Sequence, residues 1–478
     1  MNLILILSLF LSSVIYSQNF LTVDSLDKKL INLTFNDEYV KVKQICDSLI
    51  NLDSKEPKHY FHYFGAEALQ LHEKINHSPL SGRDSLREFL VDQSIEKLEN
   101  GIQNLDDVEM TPQNRFYIAS LYGYKSRFAG INRYWWSAYV SGTKANGMFE
   151  EIIEEYPECY DAYLYPGVFG YYAARLNGFN RFIASILGVS GNRGGGINNI
   201  KLALEKGILV YPQALLMMLE IDTIMEDNPN KAIPYFNKFL DEFPKNKRTT
   251  NWYGHTLLNL YRSNEVTIKI KNDSYGTVDD FVKSKYYFLT EQLDSSAKYS
   301  KNSFYNQNTW RGIIEHTKYY CVYTNWLLET NGVEKDYNSK LSNYYLSLFE
   351  LDFNNETESK YIYKITALLV KEKHTELQSL IESSPGFNEI YFEAEFNLLQ
   401  GVSLFQQNTL LESLPYFEKA TISSDRRKRT IALRYQLDVY LSETLPLKKV
   451  TLLIDRIDDA EYNKLIFRLD DLREKYNL

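Results

Sequence analysis

At 478 residues the chain exceeds one ordinary domain, so two or three domains or one long repeat array are expected. Charged residues at 24% and apolar residues at 44% describe a chain that folds rather than a disordered one. A formal net charge of -9 removes the diffuse positive field on which most nucleic-acid and anionic-membrane binding depends, so no nucleic-acid partner is expected.

The aromatic fraction is 14%, and 38 tyrosines supply most of it. A tyrosine packs an apolar ring and keeps a polar tip, which suits helix seams, interfaces and sugar-stacking surfaces; seam packing is the simplest assignment. The three cysteines, 46, 159 and 321, lie far apart. They form no disulfide framework, and the odd count leaves at least one free thiol.

The N-terminus reads "MNLILILSLFLSSVIYSQNF". Its apolar stretch Leu3–Leu11 is too short to span a bilayer and is followed by small and polar residues. This is the pattern of a signal peptide over 1–17, cleaved after Ser17. The expectation is export in a bacterium, to the periplasm, the outer envelope or the medium. No later apolar run approaches the roughly 18 residues of a membrane span, so the mature chain is expected to lack one.

Residues 18–110 read as an N-terminal helical region. "HYFHYF" and "LHEKINH" place His59, His62, His72 and His77 close together in sequence. The second string misses the zinc-protease pattern H-E-x-x-H, because a spacing of five turns the rings about 140° apart on a helix. Ordinary packed or surface histidines explain these residues better than a metal site does. "DQSIEKLENGIQNL" sets Ile95, Leu98, Ile102 and Leu105 on one helical face.

Residues 111–262 carry the clearest repeats. "RYWWSAYVSG" gathers Arg133, Tyr134, Trp135, Trp136 and Tyr139, the candidate partner-binding residues. Such a cluster can grip a peptide, stack on a sugar, or pack beneath the first repeat. "NGMFEEIIEEYP" then shows helical spacing closed by a proline. "MFEEIIEEYP" and "FNKFLDEFP" share their order of aromatic, apolar and acidic residues, and Pro-Tyr-Phe-x-Lys recurs in "KAIPYFNKF" and "ESLPYFEKA". Pro234 and Pro415 are expected in the first turn of their helices, where a missing N–H is tolerated. "DAYLYPGVFGYYAARL" offers Gly167 and Gly170 for close helix approach.

"ILGVSGNRGGGIN" has the look of a phosphate cradle. No Lys-Ser or Lys-Thr follows its glycines, and the G-x-G-x-x-G spacing is wrong, so neither nucleotide motif is satisfied. The helix Ile197 to Lys206 is expected to follow it. Residues 263–300 read as a linker or insertion, in which alternating Val266, Ile268 and Ile270 suggest a small hairpin or an irregular loop. Residues 301–478 read as C-terminal helical repeats. "DRRKRT" at 425–430 is expected to be a solvated turn or helix end.

With its early aromatics and mid-helix glycines in "TNWYGHTLLNLY" and "YFEAEFNLLQGVSLF", the chain resembles the tetratricopeptide-repeat family. In "NKAIPYFNKFLDEFP" the family's second-helix positions fall on Ala232, Tyr235 or Phe236, and Pro244. Residues 178–207 resemble the relatives that include the inclusion-body clearance proteins, whose glycine-rich turn joins two helices; Gly191, Asn192, Arg193 and Gly196 are the matching positions. The resemblance implies an all-α superhelical array of antiparallel helical hairpins. Such a scaffold is expected to bind a protein or peptide without catalysis and without cofactors. An envelope glycan-binding protein is the alternative, and an enzyme is less favoured because no catalytic constellation stands out.

Overall fold

The computed structural model describes residues 21–76, 78, 82–175, 191–305, 311–328, 342–384, 386–459 and 464–478. Among the described residues it contains 23 α-helices and no strand, the all-α, solenoid-like array of hairpins expected. The segment expected as a signal peptide lies outside them. No helix among them is long and apolar enough to cross a membrane.

The chain divides into two compact units, Met1–Met218 with Asp241–Asn246, and Leu219–Leu240 with Lys247–Leu478. Its first helices are α1 (Ser25–Phe35), α2 (Tyr39–Leu52), α3 (Pro57–Asn76), α4 (Arg83–Asn104) and α5 (Pro112–Ile131). There follow α6 (Trp135–Glu155), α7 (Leu164–Ala174), α8 (Arg193–Lys206), α9 (Tyr211–Glu220) and α10 (Pro229–Glu242). Next come α11 (Lys247–Asn259), α12 (Ser263–Lys271), α13 (Asp280–Leu289), α14 (Leu293–Tyr305), α15 (Arg311–Leu327) and α16 (Asn343–Asn354). The last are α17 (Glu356–Val370), α18 (His374–Glu382), α19 (Ile390–Gln406), α20 (Leu410–Ala420), α21 (Arg426–Ser442), α22 (Leu447–Asp459) and α23 (Ile466–Tyr476).

One corner recurs in both units. The hairpins α1–α2, α5–α6, α11–α12, α13–α14, α17–α18 and α19–α20 each turn over three residues. The middle residue is left-handed and never glycine: Asp37 (φ 63), Arg133 (61), Tyr261 (59), Glu291 (62), Glu372 (57) and Asn408 (62). Two backbone bonds close each corner. At Asn408 its own N–H meets the Phe405 carbonyl at 3.0 Å, and the Thr409 N–H meets the Leu404 carbonyl at 3.0 Å. This is the double-bonded C-terminal cap usually built on glycine, and it satisfies carbonyls that the helix end would leave bare.

The repeated Pro-Tyr-Phe string yields a repeated contact. Phe236 stacks on Tyr253 at 4.9 Å, and Phe417 stacks on Tyr435 at 5.0 Å. Both phenylalanines are fully buried, so the string marks a shared seam. Pro234 and Pro415, however, lie inside α10 and α20, each at the sixth residue and not in the first turn. Both face solvent, so the carbonyls of Asn230 and Leu411, which lose an N–H partner, can be hydrated.

Residues 263–300 form α12, α13 and the first part of α14, with a loop over 272–279 and no strand, which corrects the hairpin expectation. In α12, Val266 is buried and Ile268 is 58% exposed, so the alternation does not place both on one face. Ser263 Oγ donates to the Val370 carbonyl at 2.7 Å, and Glu265 in the first turn with Lys269 and Lys271 in the last suits a helix dipole. Packing and end charges outweigh a β-branched run here.

A π-helical turn, Ile221–Met225, follows α9 and buries Asp222 completely. Neither carboxylate oxygen accepts a hydrogen bond, and Lys231 Nζ stands 3.4 Å away. Burial pushes this carboxyl up to about 6. Nearby, Arg434 Nη1 donates to Asp227 at 3.3 Å and Asn230 to Asp438 at 3.3 Å, which ties this segment to α21.

Three outcomes are expected from urea unfolding. Asn408→Val should lower the unfolding free energy by about 1–2 kcal/mol, because a β-branched residue is poorly accommodated at positive φ. Gly147 lies mid-helix with nothing within 4 Å of an added Cβ, so Gly147→Ala should stabilise by about 0.5–1 kcal/mol. For Asp222 the folded pKa lies above the unfolded one, so its contribution is most favourable below pH ~4 and is lost as pH rises through about 6. Asp222→Asn should therefore stabilise at pH 7.5 by about 1–3 kcal/mol and change little at pH 4; equal effects at both pH values would refute this assignment.

Candidate functional site

The candidate residues of the first unit collect at the corner between α5 and α6. Left-handed Arg133 reverses the chain, Tyr134 Oη donates to Asp92 Oδ1 of α4 at 3.0 Å, and α6 begins at Trp135. Trp135 is 68% exposed and Trp136 71%. The alternative of packing beneath the first repeat is thereby corrected: the corner delivers both indoles on the outer turn of α6. Trp136 and Tyr139, three residues apart on one face, have ring centroids 5.8 Å apart and planes tilted by 32°. Val140 and Phe89 are exposed as well. Successive helical residues diverge by about 100°, so Trp135 does not share a single flat platform with Trp136.

The glycine-rich candidates fill a structural role. Residues 186–190 lie outside the described residues, while Gly191 and Asn192 lead directly into α8. Gly191 and Asn192 precede the helix, and the rest of the expected turn lies outside the described residues. Arg193 and Gly196 lie inside the helix, because α8 begins four residues earlier than expected. The Asn192 side chain caps it by accepting from the Gly195 N–H at 2.8 Å. A Cβ on Gly191 would fall 2.0 Å from the Ala174 nitrogen, and one on Gly196 2.7 Å from the Gly167 carbonyl oxygen. These glycines let α7 and α8 cross backbone to backbone, with Gly167 as the reciprocal contact. At the far end of this hairpin Asp161 accepts from the N–H groups of Ile208, Leu209 and Val210 at 2.7–3.1 Å. Burial raises its carboxyl, yet its oxygens are committed to backbone.

Two of the histidines of α3 are separately engaged. His62 Nε2 lies 2.9 Å from buried Asp27, and His72 contacts Asn76. His77 lies outside the described residues. No group of three or more His, Cys, Asp or Glu able to hold a metal occurs among the described residues. All three cysteines are free and buried, and burial pushes the Cys46 and Cys159 thiols up to about 12.

The run 425–430 is not simply solvated. Asp425 caps α21 through the Arg427 N–H at 2.8 Å, and Arg427 Nη1 donates to Tyr345 Oη at 2.8 Å with its guanidinium 4.1 Å from the Tyr344 ring centre. Lys428 Nζ pairs with Glu395 at 2.7 Å.

These contacts belong to a lining missed in the sequence. In the second unit α11, α13 and α15 pack in succession, as do α17, α19 and α21, and α13 also packs on α17. Between these helices lie His255, Lys285, His316, Tyr319, Tyr320, Tyr391, Glu395 and Lys428. The His255 and His316 rings are 6.3 Å apart, and His316 stands 5.3 Å from Tyr345. Desolvation holds His255 well below the usual imidazole range and raises Tyr319 and Tyr391 well above the usual phenol range. Tyr319 Oη donates to Asp352, whose carboxyl burial pushes up to about 6. One signal was available: in "DFVKSKYYFL" helical spacing sets Lys285 on the buried face with Phe281 and Phe288.

No protein-family model matches this chain, and no curated protein does.

Proposed function

We propose that the chain is an exported, non-catalytic scaffold of tetratricopeptide-like hairpins that binds a protein partner in a bacterial envelope. The exposed aromatic corner Trp135, Trp136, Tyr139 and Val140 carries this reading. Neighbouring indoles this exposed are costly to leave in water and are the residue type that most often anchors a protein interface. The divergence of the two indoles suits a partner with relief better than a flat sugar ring. The polar groups beside them are occupied, since Asp92 accepts from Tyr134 and the Asn132 side chain is engaged with α4.

A glycan ligand is the second reading, favoured by the same exposure and by the neighbouring Trp136 and Tyr139 rings. The test pairs two measurements on the chain from residue 18 and on its Trp135→Ala/Trp136→Ala variant. Affinity capture from the native envelope extract should retain a discrete protein, with retention falling roughly tenfold or more in the variant. The melting temperature should be unchanged, because the indoles are exposed. Retention on a glycan array with no captured protein would replace the first reading by the second, and no difference between the two forms in either measurement would sink both.

A further inference from the structure

The charge beside the tryptophan corner narrows what can sit on it. Along α4, Asp84, Glu88, Asp92 and Glu96 recur every fourth residue, which sets them in one line on the helix. Like charges at this spacing oppose helix formation, so the line burdens α4 rather than supporting it. Asp84 is neutralised by Arg87 at 2.8 Å. Glu88 and Glu96 are exposed, and among the described residues Glu88, Asp92 and Glu96 have no ion-pair partner. The middle of the line lies against the corner. Asp92 Oδ1 accepts from Tyr134 Oη at 3.0 Å and from the Asn132 side chain at 3.5 Å, and the same amide reaches the Glu88 carbonyl at 3.5 Å. Both donors to Asp92 are neutral, so its negative charge stays uncompensated. Its hydrogen bond and charge, with the charge of Glu88, push the Tyr134 phenol up from its ordinary range. Phe89, next to Glu88, is 57% exposed. Across residues 132–140 the only charged side chain is Arg133, which pairs with neither carboxylate.

Uncompensated carboxylates beside exposed indoles favour one kind of side chain. An arginine or lysine can lay its stem on an aromatic ring, set its charge on the electron-rich face and donate to a carboxylate. An acidic segment would be repelled by α4, and a neutral one would cover Glu88 and Asp92 without offering them a partner. We infer that the corner docks a basic, apolar segment of a protein partner, its cationic side chains shared by the indoles of α6 and the carboxylates of Glu88 and Asp92. The formal charge of -9 on the whole chain adds long-range attraction for such a segment. Such a segment presupposes the protein-binding reading of the corner and specifies the partner's chemistry.

Selection from a bead-displayed random dodecapeptide library tests this, with the chain from residue 18 as bait after depletion on its Trp135→Ala/Trp136→Ala variant. The depletion step removes peptides drawn only by overall acidity, which that variant retains. Enriched peptides should carry a net charge of about +2 or more, with arginine or lysine beside apolar residues. Titration of the most enriched peptide, followed by tryptophan fluorescence, should show roughly tenfold or more weaker binding once citrulline replaces its arginines and glutamine its lysines. Glu88→Gln/Asp92→Asn should weaken the same peptide roughly fivefold and flatten its salt dependence. The melting temperature should not move, because position 92 keeps the side-chain oxygen that accepts from Tyr134. Enrichment of acidic or uncharged peptides, or binding indifferent to Glu88→Gln/Asp92→Asn, would overturn the basic assignment while leaving a protein partner at the corner. No enrichment over the depleted bait would also overturn it, and if envelope capture then retains no protein the protein-binding reading fails with it.

Discussion

Six hairpins share a corner in which a residue other than glycine is held at positive φ, and this constraint sets the rest of the architecture. Each left-handed residue costs on the order of 1 kcal/mol in local strain. In return the chain reverses within three residues, and both helices of the hairpin lie in contact along their length. Stacking of Phe236 on Tyr253 and of Phe417 on Tyr435 offsets such costs with fully buried aromatic area. A longer and looser connection would relax the corner but would let the following helix slide.

The same corner places the functional candidates. Arg133 at positive φ starts α6 at once, so Trp135 and Trp136 emerge on its first turn, before the helix reaches its buried stretch at Ser141 and Gly142. In the second unit short corners align successive helices so that one face of each meets a common interior. That interior is unusual in chemistry. It is lined by phenols, imidazoles and amines, with Tyr319 bonded to Asp352 and Lys428 paired with Glu395.

Helical content and the repeated seam were legible in the sequence because both rest on spacing. Leu98 and Leu105 of the expected face and the phenylalanine of the recurring Pro-Tyr-Phe string are buried, while Ile95 and Ile102 lie at its half-buried edge. Gly167 was likewise legible as a close-approach position. The corners were not, because Asp, Arg, Tyr, Glu and Asn at the turning residue carry no glycine signal. Residues 263–271 misled through side-chain type: Val and Ile favour strands locally, while burial of Val266 and the end charges decide for helix. Lys285 and the run 425–430 stayed hidden for a different reason. A charged residue in sequence reads as solvated, and only neighbours on other helices, such as Asn259 and Tyr320 beside Lys285, show that it faces inward.

The division of the chain has a consequence for the order in which it can fold. Residues Leu219–Leu240 belong to the second unit, yet Asp241–Asn246 belong to the first. There Phe243 packs on Phe35 with centroids 5.3 Å apart, and Asn246 donates to Asp37, the strained corner of the first hairpin, at 2.7 Å. A chain growing from its N-terminus therefore cannot close its first unit at Met218. It must first produce the segment 227–242, whose own partners on α21 and α23 are about two hundred residues away. The earliest corner to be made is among the last to be fastened.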